Sequence, residues 1–126
     1  MLDPKRIFLI DGIGALITAT LLLAILAQFE STFGMPRRIL FLLAGIACIF
    51  AVYSLACYIK LRDNWTPFLR AIAIANLAYC VLTLTMVIVY RAEVTRLGVA
   101  YFIAEISVVL SLAFYEFISA HRVAGR

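Results

Sequence analysis

A chain of 126 residues that is 66% hydrophobic and 14% charged, with a mean hydropathy of +1.09, cannot stay soluble alone. Its home is a lipid bilayer. Eleven Lys and Arg against seven Asp and Glu leave a net charge of +4, but no connector gathers a basic stripe with interleaved aromatics, which excludes nucleic acid as a partner.

The first apolar run, Ile7 to Ala27, follows Lys5 and Arg6 and so resembles a secretory leader. A leader's apolar region is about 7 to 15 residues long and ends at a small-x-small cleavage site. This run is longer and leads into Gln28, Phe29 and Glu30, so a retained first helix is expected. Gly34 and Pro36 punctuate the connector that follows.

The second run is Ile39 to Ile59 and the third is Ala71 to Tyr90. Thr66 and Pro67 precede the third as a helix start, a hydroxyl cap beside a proline whose missing N–H costs nothing there. The fourth run is Leu97 to Tyr115. Each run approaches the roughly 20 residues that a helix needs to cross about 30 Å of hydrocarbon. Barrel strands would be about 10 residues long with polar alternation, whereas these runs are apolar on nearly all sides. Every backbone amide in lipid must be paired inside its own segment or in a closed barrel, so four helices remain. The expected fold is all-α, an antiparallel four-transmembrane-helix bundle with short connectors, forming one domain over residues 1–126. Tyr58, Trp65, Phe68, Tyr90, Tyr101 and Tyr115 fall near run ends, where amphipathic rings prefer the headgroup level.

Orientation follows from the basic residues. Lys5, Arg6, Lys60, Arg62, Arg70, Arg122 and Arg126 lie on the side of the termini, and Arg37, Arg38, Arg91 and Arg96 on the other. The excess places both termini in the cytoplasm and the chain in the cytoplasmic membrane.

No cofactor is expected. Cys48, Cys57 and Cys80 all lie inside apolar runs with no C-x-x-C spacing, and about 13.5 Å of helix rise separates Cys48 from Cys57, too far for a bridge. They read as small apolar residues. The single histidine, His121, lies beyond the last run, which argues against a histidine-ligated haem or metal within the membrane. Phosphate loops and nucleophile elbows are absent. No nucleophile, base and orienter occur together, so an enzyme is not the expected reading.

Counting inward at about 1.5 Å per residue from the terminal side, Asp11, Ser54, Asn76 and Ser111 come out at about 6 to 8 Å. Thr18, Cys48, Cys80 and Glu105 come out at about 13 to 17 Å, near the midplane. Helix facing supports these layers in part: Asp11 and Thr18 share a face, as do Asn76, Cys80 and Thr83, but Ser54 and Cys48 do not, nor do Glu105 and Ser111. Asp11 is shallow enough to reach headgroups or to pair with Arg6 or Arg70. Ala44, Ala47, Cys48 and Ala51, and Gly12, Gly14, Ala15 and Thr18, form small-residue faces for close helix approach.

Glu105 is the sharpest feature, since a charged acid at a helix centre costs about 2.5 to 3.5 kcal/mol on insertion scales. It must face inward, protonated or with a partner, and Tyr79, Cys80 and Thr18 are the candidates. Glu116 lies on nearly the same face, at the expected interface. The expected function is a polar intramembrane site for a small ligand, ion or proton, built from Glu105, Asn76, Asp11, Tyr79 and Thr18, as in a small transporter. The alternative is a non-catalytic accessory or assembly subunit, packing in a homodimer or a larger membrane complex through the small-residue faces.

Overall fold

The structure is a computed structural model that describes residues 4–60 and 65–124. Arg62 and Arg126, both counted in the orientation argument, lie outside the described residues. Helix α1 spans Pro4–Leu21 and runs into a π-helical turn over Leu22–Leu26. A one-turn helix α2, Glu30–Phe33, sits in the first connector, and α3 covers Arg37–Lys60, α4 Trp65–Val89 and α5 Arg96–Ala124. Four of these helices are long and apolar enough to cross a bilayer. The chain is a helical bundle and a multi-pass membrane protein.

Two boundaries differ from those expected. α5 continues to Ala124, well past Tyr115, because Glu116 ends the apolar run in sequence while turning inward in space, where it is fully buried. Helix α4 is already formed at Trp65, because Arg70 faces outward and can carry its charge toward the interface on its aliphatic stem.

The bundle is two antiparallel hairpins laid together. α1 packs most closely on α3, and α4 on α5. Ala44, Ala47 and Ala51 are buried on α3, as their lack of bulk allows. On α1, a Cβ at Gly12 would stand 2.8 Å from the Leu55 side chain of α3, so the glycine sets that distance. The outside is as apolar as a bilayer requires: Ile17, Ile49, Val81 and Val108, one from each spanning helix, are all more than half exposed.

At the end carrying the connectors before α3 and before α5, backbone contacts tie the hairpins together. Thr95 N donates to Phe33 O at 3.1 Å, and Thr95 Oγ1 donates to Thr32 O at 2.6 Å while accepting from Gly98 N at 3.1 Å as the cap of α5. Gly34 closes α2 at φ 86°, a left-handed conformation that glycine adopts without a Cβ penalty. Arg38 Nη2 donates to Tyr90 OH at 3.3 Å across the same end.

Two apolar cores result. One, toward the connectors, holds Leu22, Leu26, Leu40, Leu43, Tyr79 and Phe102. The other, toward the termini, holds Ile7, Phe8, Cys57, Leu69, Ile72 and Ala120. Along each spanning helix the chain passes from one core to the other, and at that passage each carries a buried polar residue.

Candidate functional site

Those residues are Asp11 on α1, Ser54 on α3, Asn76 on α4 and Glu116 on α5, all buried. Ser54 Oγ donates to Asp11 Oδ2 at 2.6 Å. Asn76 Nδ2 donates to Asp11 Oδ1 at 2.9 Å and to Glu116 Oε1 at 2.8 Å. The amide has two N–H groups, and each acid accepts from it. The Asp11 and Glu116 carboxyls also lie within hydrogen-bonding reach of one another. Two like charges this close in a dry interior would oppose one another's ionisation. Glu116 Oε2 and, one turn on, Ser119 Oγ are buried with no hydrogen-bond partner among the described residues.

Beside this junction, among all four spanning helices, lies a cavity of about 50 Å³ whose wall includes Asp11, Thr18, Phe50, Asn76 and Tyr79. That is room for a water molecule, and its lining has the polar groups a water needs. Tyr79 closes the cavity on the connector side and hands its hydroxyl to the second acid, donating to Glu105 Oε1. Tyr101, one turn before Glu105 on α5, also lies against that carboxyl. Glu105 is 7% exposed, and its Oε2 has no partner among the described residues.

The five residues singled out by sequence thus fall in two adjoining places. Asp11, Asn76, Tyr79 and Thr18 surround the small cavity, and Glu105 stands behind Tyr79 in the wall of a cleft between α1 and α5, which Thr18 also lines. Thr18 is half-buried, and of the partners expected for Glu105 it is Tyr79 that donates to it, with Tyr101 also against the carboxyl.

Four expectations need correction. Asp11 pairs with Ser54 and Asn76 rather than with headgroups, Arg6 or Arg70, because the inner face of α1 points its short side chain into the bundle. Glu116 is 0% exposed rather than interfacial, since α5 continues beyond it and covers it. Ser111 is exposed and donates to Ser107 O at 2.8 Å, so Glu116 takes the place in the polar layer that depth alone gave to Ser111. Cys48 is exposed and belongs to no midplane layer, because it lies off the Ala44–Ala47–Ala51 stripe.

Ser54 and Glu116 were missing from the expected site. The signal for Glu116 was its spacing: eleven residues from Glu105 is three helical turns, which places both acids on one face about 16.5 Å apart. Among the described residues, no group of three or more His, Cys, Asp or Glu could hold a metal ion. Neither a family model, nor a curated protein, nor a solved structure matches this chain.

Proposed function

We propose that this protein is a small transporter of the cytoplasmic membrane whose buried acids form an exchangeable proton site, with both termini in the cytoplasm. One observation carries the reading: each spanning helix contributes one polar side chain to the Asp11, Ser54, Asn76 and Glu116 junction. Burying two acids in lipid is costly, and a bundle held only by packing would be served by apolar residues at these positions. A proton shared between Asp11 and Glu116, next to a cavity of water size, is a proton that can leave and return if that cavity opens to either side.

For the accessory-subunit reading, part of the expected docking surface is used inside the bundle: Ala44, Ala47, Ala51 and Gly12 are buried, while Cys48 is exposed and Gly14, Ala15 and Thr18 are half-buried.

The test is difference infrared spectroscopy on the protein in lipid while the bulk pH is stepped. The protonated-carboxyl band should change with pH and shift in D2O, and D11N and E116Q should each remove part of it. A carboxyl band indifferent to both bulk pH and D2O would overturn the proposal.

A further inference from the structure

We propose that the cleft between α1 and α5 binds a lipophilic monovalent organic cation, with the Glu105 carboxylate as its counter-charge. This deepens the preceding reading by naming a substrate class, and it shares that reading's premise that the buried acids can exchange their protons.

α1 and α5 are the first and last helices, joined by no connector, and they meet along only part of their length. Between them a cleft of about 320 Å³ opens to the lipid-facing side, a volume within the range of small-molecule sites. Its walls are mostly apolar, with Ile17 and Leu21 from α1 and Val109 from α5; the polar groups are Thr18, Tyr101 and Glu105. On the α1 side, a Cβ at Gly14 would meet nothing within 4 Å, so the wall there is open space. A second hollow of about 510 Å³ continues the cleft toward the termini along the same two helices, with room for a longer body.

The acid defines the ligand. Glu105 Oε1 is occupied by the Tyr79 hydroxyl, while Oε2, on a residue only 7% exposed, has no partner among the described residues. An unpaired carboxyl oxygen in an apolar wall is expensive, and an acyl chain lying in the cleft would leave it so. An anion would be repelled. A small hydrated metal ion would find, among the described residues, no group of three or more His, Cys, Asp or Glu to complete its shell. A single diffuse positive charge on an apolar body satisfies both the carboxylate and the walls. Access is lateral, from the bilayer, where such cations partition. Where Glu105 is protonated, binding one monocation displaces one proton to solvent, so charge is conserved.

The probe is tetraphenylphosphonium, with uncharged triphenylphosphine oxide as control, presented to the protein in nanodiscs. Equilibrium dialysis reads binding, and a weakly buffered medium reads proton release. Saturable phosphonium binding with proton release is expected. E105Q should weaken it at least about tenfold and abolish the release, while Glu93→Gln, at an exposed acid outside the cleft and the junction, stays within about twofold. Gly14→Leu, which fills the cleft without touching the acid, should weaken binding, and Gly14→Ala should not. If E105Q fails to assemble, the Gly14 pair decides. Unchanged binding in E105Q or in Gly14→Leu overturns the proposal, as does equal retention of the phosphine oxide. Loss in D11N or E116Q with E105Q unaffected would place the cation at the four-helix junction, leaving the proton-site reading intact. A carboxyl band indifferent to pH alongside Glu105-dependent phosphonium binding would remove only the junction's role.

Discussion

Asn76 on α4 holds Glu116 on α5 at 2.8 Å through the same amide nitrogen that holds Asp11 on α1 at 2.9 Å. One neutral side chain therefore joins the two hairpins and satisfies an acid from each.

Asn76→Ala should destabilise the bundle more than any other single loss at the junction, because it strands an acceptor on both acids. Hydrogen bonds between membrane helices average about 0.6 kcal/mol, with a maximum of about 1.7. Two lost together predict roughly 1 to 3 kcal/mol, measured as reversible unfolding in mixed micelles. A variant as stable as the parent would show that the amide is dispensable.

Tyr79 and Glu105 should be coupled. Tyr79→Phe leaves the ring in the upper core and removes only the donor, so a double-mutant cycle with E105Q isolates the pair. A coupling of about 0.5 to 2 kcal/mol is expected for a hydrogen bond to a buried acid. Strict additivity would place the hydroxyl elsewhere.

The glycines should divide into two classes. A Cβ at Gly34 would run into the Glu93 carbonyl at a positive φ, and one at Gly98 into the Phe33 carbonyl. Alanine at either should cost upward of about 1 kcal/mol, with Gly34 adding the left-handed penalty of about 1 to 2 kcal/mol. Gly14 and Gly45 have open space around them, and alanine there should be neutral or stabilising by up to about 1 kcal/mol from helix propensity. Thermal shifts of the four variants test the division. Equal losses at all four would refute it.

Orientation is open to labelling. With the three native cysteines replaced, Lys60→Cys should react with impermeant maleimide only from the cytoplasmic side, and Arg91→Cys only from the opposite side. Both residues are exposed at helix ends. The reverse pattern would invert the topology, and labelling of both positions from both sides would mean dual insertion.

How much of this was legible in the chain differs from residue to residue. The four spans follow from run length, because lipid leaves a backbone no alternative to pairing within the segment. Glu105 stood out for the same reason, as an acid that nothing at its depth could neutralise, and Tyr79 was among its named partners. Glu116 was misread because position along a run is a poor gauge of burial once a helix continues past its apolar stretch. Ser111 and Cys48 were placed by depth, and depth says nothing of azimuth. Asp11 had Arg6 close in sequence and Arg70 at a similar expected depth, and no sequence spacing showed that Asn76, from the other hairpin, would be its partner instead.

Class and span number were determined by the sequence alone, since hydrophobicity and backbone pairing are properties of each segment taken singly. Which buried polar groups meet was decided only by the tertiary structure. That depends on the rotation of each helix about its axis and on which helices adjoin. Both are set by close packing at Gly12, Ala44, Ala47 and Ala51 within one hairpin and by the backbone contacts of Thr95 and Gly98 between the two. Those contacts join residues far apart in the chain. They are what turned four dispersed polar residues into one hydrogen-bonded junction and left Glu105 facing a cleft.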